Sequence, residues 1–352
     1  MLFYLIPYIY ITFVSLNIYF SKIKVNARTI FLLLFPALLI VVLRGNVGTD
    51  SFFYLGLFED YQRFGESNAK YEPGFETLGK TLIFLGASPR LGVALVGLIS
   101  TLILCKAYSR SKNEMLILAM LVFPTFYYDF GMNGIRYGLS FCLATLGIDA
   151  LYKKNYKLFA LFSLLAVSMQ YSSMLIILPF AGSLIKKKYV FIILFLLVAI
   201  IAVSPDTFAF FMDRVADKKG AYSQIYAPGI TSGLAPLGLV LLMYFNFLWF
   251  HRKTDYSKLI HIILLLEILS FVFAKFSYAG LRFQGAYMYC MILYLKNNTR
   301  DDLRWRYSVN LVIISVLSII IYYKNLTTVV QEEVTPFLPY KFFWEERYSD
   351  KL

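Results

Sequence analysis

Three arginines stand close to glycine near the expected ends of apolar stretches: Arg44 before Gly45, Arg136 after Gly134, and Arg282 after Gly280. A guanidinium is a planar fork that keeps its charge and binds phosphate oxygens in pairs. Glycine beside it lets a backbone or a ligand come close. The plainer alternative is that each arginine only reaches toward lipid headgroups, but the repeated glycine setting favours anion binding. Asp50 and Glu72 are carboxylates suited to general-base work on a hydroxyl nucleophile, set against the ordinary role of a solvated loop acid. Gln170 carries both a donor and an acceptor. Tyr54, Tyr127, Tyr128 and Tyr171 supply aromatic faces, for which interfacial tyrosine belts are the commoner explanation. Arg214 lies between Asp213 and Asp217 at helical spacing. Glu267 falls within an apolar segment, where an acid is either functional or paired with a buried partner. There is no Gly-Lys-Ser/Thr phosphate loop, which argues against ATP-driven transport by this chain alone.

The elements that must carry these side chains follow from composition. The 352 residues are 59% hydrophobic and 16% charged, with a mean hydropathy of +0.65. Soluble proteins run near ~25% charged, so the chain reads as an integral membrane protein of all-α class. A soluble enzyme, a disordered tail and a β-barrel are excluded by the long charge-free stretches, such as Leu2 to Phe20 and Val309 to Tyr323. The formal net charge of +13 is dispersed over short loops, so nucleic acid is not a predicted partner. Cys105, Cys142 and Cys290 sit in apolar segments and imply no disulfide. Residues 1–20 lack a basic leading segment and are expected as a retained helix.

Basic clusters at Lys22/Lys24/Arg28, Lys106/Arg110/Lys112, Lys153/Lys154/Lys157, Lys186/Lys187/Lys188, Arg252/Lys253/Lys258 and Lys296/Arg300/Arg304/Arg306 are predicted to face the cytoplasm. They predict about 12 transmembrane or half-spanning helices, near 2–20, 29–43, 91–105, 115–130, 135–152, 158–170, 172–185, 189–204, 230–250, 259–275, 279–296 and 307–323. Both termini are then extracytoplasmic, in a single transmembrane domain over 1–352. The region 158–185 reads either as one long helix or as two short ones with Gln170, Tyr171 and Ser172 at the tip, and charge asymmetry favours the pair. The outer segments are 44–90, with an amphipathic stretch from Phe75 to Leu85, then 205–229 and the tail 324–352. The histidines His251 and His261 fall on the cytoplasmic side of this map, so outer-face chemistry proceeds without an imidazole.

At these residues the chain resembles the EpsG/Wzy family of bacterial polysaccharide repeat-unit polymerases. The matching features are Arg44-Gly-x-x-Gly-Thr-Asp50 with Tyr54, Glu72-Pro73-Gly74-Phe75, Gly134-Ile-Arg136-Tyr-Gly-Leu, the short helices around Gln170, Arg282 with Tyr278 nearby, and a late Pro339-Tyr340. Two positions depart from the family habit: Tyr137 replaces a common glutamine and Gln170 a common histidine, which shifts weight for the base onto Asp50 or Glu72. The resemblance implies a membrane glycosyltransferase of the bacterial cytoplasmic (inner) membrane with a cavity facing the outer leaflet. It would join undecaprenyl-diphosphate-linked oligosaccharide units into O antigen, capsule or exopolysaccharide without metal or other cofactor. Arg136 and Arg282 are expected to offset the leaving diphosphate, with Arg44 as helper, and Asp50 or Glu72 to act as base. Tyr54, Gln170, Tyr171, Tyr278 and Arg214 are expected as substrate contacts. Lipid, a flippase and a chain-length regulator are the expected partners. Two rivals remain: a GT-C-type glycosyltransferase using a polyprenyl-phosphate sugar, and a lipid-linked oligosaccharide flippase or transporter with Glu267 as its coupling acid.

Overall fold

The computed structural model describes residues 2–67, 71–184, 231–251, 257–299, 305–327 and 337–345. Among these residues the chain is helical, and its one β-type pairing is an isolated antiparallel bridge between Arg44 and Phe342. The first unit, Met1–Met174 with Leu295–Leu352, opens with α1 (Leu2–Phe20), α2 (Ala27–Leu43), α3 (Ser51–Phe64), α4 (Pro73–Phe84) and α5 (Pro89–Ala107). It continues through α6 (Lys112–Ile117), α7 (Ile135–Tyr152) and α8 (Tyr156–Met169). The second unit, Leu175–Tyr294, holds most of α9 (Met174–Leu184), then α10 (Leu234–Phe250), α11 (Lys258–Phe273) and most of α12 (Ala279–Asn298), whose last turn returns to the first unit with α13 (Trp305–Thr327).

Three helical stretches, Leu2–Phe20, Pro89–Ala107 and Trp305–Lys324, are long and apolar enough to cross a membrane. At 1.5 Å per residue such helices span the ~30 Å of hydrocarbon. Large apolar side chains stay exposed along them, including Ile6, Ile9 and Phe13 of α1 and Ile313 and Ile320 of α13. In a membrane protein these face lipid, which is as apolar as the side chains themselves. Helix starts follow local chemistry: Asn26, Ser88, Ser111 and Asn155 each accept a backbone N–H three residues on, satisfying donors the helix leaves open.

Two local readings change, and a third, the pair of short helices at 158–185, holds. The segment 44–90, expected on the outer side, carries two helices instead of one amphipathic stretch, because α3 buries Tyr54, Leu57, Phe58 and Tyr61 on one face and packs on α5. The helix predicted over 115–130 is α-helical only to Ile117; from Leu118 to Tyr127 and from Asp129 to Asn133 it widens to π-helical geometry, with Pro124 inside. At 158–185 the chain breaks into α8, a 3₁₀ turn Tyr171–Ser173 and α9, with Gln170 in extended backbone at the break. The helix predicted over 189–204 and the outer segment 205–229, with Arg214, lie outside the described residues.

The helix ends of the first unit sort into two sets. At one end, Lys296 at the close of α12, its side chain fully buried, pairs with Asp149 of α7 and stands 3.8 Å from Glu114 of α6. Arg110 pairs with the same Asp149 and Glu114, so two cations meet two carboxylates. Lys112 beside them donates to the carbonyls of Tyr19 and Ser21 that close α1. At the other end of the same helices stand Tyr4, Arg44, Arg90 and Arg136. There the Tyr4 hydroxyl donates to Phe337 O at 3.1 Å and the Tyr340 hydroxyl to Ile40 O at 2.8 Å, tying the late segment 337–345 across α1 and α2.

Candidate functional site

The segment leaving α2 is stitched to the end of the π-helical run. Thr49 N donates to Asn133 Oδ1 at 3.0 Å, Asn133 Nδ2 to Asp129 Oδ1 at 2.7 Å, and the Ser51 hydroxyl to Val47 O and Met132 O at 2.6 and 3.1 Å. Gly48 has φ +113°, and a Cβ there would meet Met132 O at 2.9 Å, so glycine is needed both for backbone sign and for space. This seam sets Asp50 at the head of α3 and Arg136 in the first turn of α7.

Glu72 comes to the same place from α4. It sits at the position before Pro73, whose fixed φ suits a first helical residue. A Cβ on Gly74 would fall 2.3 Å from Ser168 Oγ and 2.9 Å from the Ser168 carbonyl carbon, so the first turn of α4 lies directly against the end of α8. That approach delivers Glu72 to the break at Gln170. One Glu72 oxygen pairs with Arg136 Nη1, and the other accepts from Tyr171 N at 3.4 Å. The Arg136 guanidinium lies 4.7 Å over the Tyr71 ring. Tyr54, buried in α3, stands close enough to feel the Arg136 charge. Burial pushes the Tyr54 hydroxyl up to about 12 and raises that of Tyr71, so at neutral pH both keep their protons and serve as donors. Asp50 adds negative field at both tyrosines and makes no capping bond of its own.

Around this pair several buried polar atoms lack hydrogen-bond partners: Arg136 Nε, Gln170 Oε1 and Ser172 Oγ. Buried polar groups are ordinarily satisfied, so one donor and two acceptor-capable atoms are set for a hydroxyl-rich or anionic ligand. Glu72 aims Arg136 through Nη1 and leaves its Nε edge to such a ligand.

The other predicted residues divide. Arg44 is buried, and its Nη1 donates to Val41 O at 3.1 Å and to Gly131 O, so part of its fork holds α2 to the π-helical run. Tyr171 is 41% exposed, beside the Glu72 contact. Tyr127 and Tyr128 are core residues: Tyr127 bonds Thr101 at 3.1 Å, and Tyr128 stacks on Tyr322. Arg282 and Tyr278 stand exposed at the start of α12 in the second unit. Within that unit Glu267 accepts from Gln284 Nε2 at 2.9 Å, and Gln284 also donates to Gly233 O at 3.0 Å. Two of the three glycines near the arginines are in close packing: a Cβ on Gly280 would meet the Ala274 backbone and one on Gly134 the Tyr137 side chain at 3.2 Å. Sequence reasoning missed Tyr71, Asn133 and Arg90. The visible signals were an aromatic one residue before Glu72, an asparagine one before Gly134, and a cation in the first turn after Ser88-Pro89.

Helices of membrane-crossing length, lipid-like exposed faces and a polar site at one set of helix ends define a polytopic membrane protein of all-α class. The chain belongs to the EpsG family, which it matches over residues 27–342. Membership supports a polysaccharide-polymerase-like function in broad terms. No curated protein and no solved structure matches the chain.

Proposed function

We propose that this protein joins undecaprenyl-diphosphate-linked oligosaccharide units at the outer leaflet of the bacterial cytoplasmic membrane. The observation that carries the reading is the Arg136 guanidinium, aimed by Glu72 and flanked by Tyr54 and Tyr71, with its buried Nε unpartnered. In the reaction an acceptor sugar hydroxyl attacks the anomeric carbon. The bond from that carbon to the diphosphate oxygen breaks, and the diphosphate leaves with the electron pair. A fixed cation at that oxygen stabilises charge that grows only in the transition state.

Asp50 takes the hydroxyl proton in this reading. Both Glu72 oxygens are committed, to Arg136 and to Tyr171 N, whereas Asp50 is half-exposed at the head of α3 without a capping bond. Tyr54, Gln170 and Tyr171 are the sugar or diphosphate contacts: Tyr54 lies in the field of Arg136, and Gln170 and Tyr171 form the break whose backbone meets Glu72. Arg282 and Tyr278 keep the roles the family pattern suggests, and Arg214, outside the described residues, stays a proposed substrate contact. A flippase supplies the lipid-linked unit and a chain-length regulator limits the product. The test is polymer laddering in cells carrying Arg136→Ala with expression confirmed. Loss of the ladder is expected, and a wild-type ladder overturns the site.

A further inference from the structure

Arg136 is fastened to Glu72 at a single point. One Glu72 oxygen meets its Nη1, and the other is taken by the Tyr171 N–H at 3.4 Å. A contact through one nitrogen fixes where that nitrogen lies but lets the guanidinium turn about it, whereas a two-point fork would also fix its plane. The unpartnered Nε is aimed only if that plane is held. The group placed to hold it is the Tyr71 ring, whose centroid lies 4.7 Å from the guanidinium carbon above it, within the range at which an aromatic face attracts a cation. Tyr71 is itself seated. Its ring meets Phe75 at 6.4 Å, and Phe75, fully buried, packs in turn on Tyr54 at 5.9 Å and Phe58 at 6.5 Å. Pro73 confines the backbone of Glu72 to the extended region, with φ −63° and ψ 140°, so Tyr71 and Glu72 reach Arg136 as a fixed pair. A ring also differs from a second carboxylate in what it leaves behind. A second acid would cancel the positive charge that Glu72 already offsets in part, while a ring quadrupole attracts the cation without neutralising it.

We propose that Tyr71 is a positioning residue: its ring fixes the plane of the Arg136 guanidinium and keeps the Nε edge open to an oxyanion. That the held edge serves departure of the diphosphate rests on the function proposed above. The test has two arms, both on the full chain in zwitterionic nanodiscs. In the first, modification of Arg136 by phenylglyoxal is read by peptide mass spectrometry; its side chain is 21% exposed, and Arg63, 67% exposed, serves as internal reference. Tyr71→Leu is expected to raise the Arg136 rate severalfold relative to Arg63, while Tyr71→Phe and Tyr71→Trp, which keep an aromatic face, leave it within about twofold of wild type. Tyr71→Met, with bulk but no aromatic face, gives the same comparison should Tyr71→Leu not fold. In the second arm, polymerisation is followed with the lipid-linked repeat unit extracted from the host cells. Tyr71→Leu is expected to lower kcat about fivefold or more with KM little changed, a loss that Tyr71→Phe does not share. Added to Arg136→Lys, which leaves no planar group to hold, Tyr71→Leu is expected to cost nothing further. An unchanged Arg136 rate in folded Tyr71→Leu or Tyr71→Met, a Tyr71→Phe loss as large as that of Tyr71→Leu, or full additivity with Arg136→Lys overturns the proposal. A faster Arg136 in Tyr71→Leu together with an intact polymer ladder in Arg136→Ala keeps the positioning contact and removes the proposed reaction.

Discussion

Glu72 places one carboxylate oxygen on Arg136 Nη1 and the other on the Tyr171 backbone N–H, so its geometry suits holding the arginine better than accepting a proton. The carboxylate and the guanidinium therefore make different predictions. Arg136→Ala is expected to lower turnover about 10²–10³-fold, as loss of one transition-state donor does in other enzymes. Asp50→Asn should cost about 10²–10⁴-fold, the range of a general base, in a purified polymerisation assay. Glu72→Gln removes the charge and keeps one of the two contacts, since its amide oxygen can accept from Arg136 while its NH2 faces the Tyr171 N–H; with Arg136 still held, a smaller loss than Asp50→Asn is expected. If Glu72→Gln is the more damaging of the two, the base assignment is reversed. These side chains were nameable from residue type, but their division of labour was not. The sequence left Asp50 and Glu72 equivalent, because nothing local tells which carboxylate meets a cation 64 positions away.

Helices position the site through close backbone contacts that tolerate little change. Gly74→Ala places a methyl against the Ser168 backbone, and overpacking of this kind costs about 1–3 kcal/mol. Reduced thermal stability in detergent together with weakened activity is the expected result, since α4 carries Glu72. At the opposite helix ends Lys296→Met leaves Asp149 and Glu114 with Arg110 as their remaining cationic partner among the described contacts. Removing one member of a buried ionic cluster costs about 3–5 kcal/mol, so poor recovery of folded protein is expected, and restoration by the companion change Asp149→Leu would show that charge imbalance is the cause. The short helices about Gln170 were legible from charge asymmetry, whereas α3 was not read, although the spacing of Tyr54, Leu57, Phe58 and Tyr61 carried its signal. The π-helical run was not, because a continuous apolar stretch reads alike whatever hydrogen-bond register its backbone adopts.

For the molecule as a whole, the rival transporter reading turns on Glu267, which in the second unit bonds Gln284. Glu267→Gln is expected to leave chain-length laddering intact, whereas a coupling acid could not lose its charge without loss of function. The GT-C reading expects a divalent metal, so continued polymerisation in excess chelator is the predicted outcome, and loss of activity restored by added metal would favour that rival. The sequence by itself determined the membrane class, the helical class and the family pattern, because apolar excess, charge-free length and ordered motifs are properties of short stretches. Only the tertiary structure decided the pairings: Glu72 with Arg136, Arg90 beside Arg44 and Asp149 with Lys296. Each joins residues far apart in the chain, and which polar groups lose their water together depends on how helices pack, not on the types of the residues they carry.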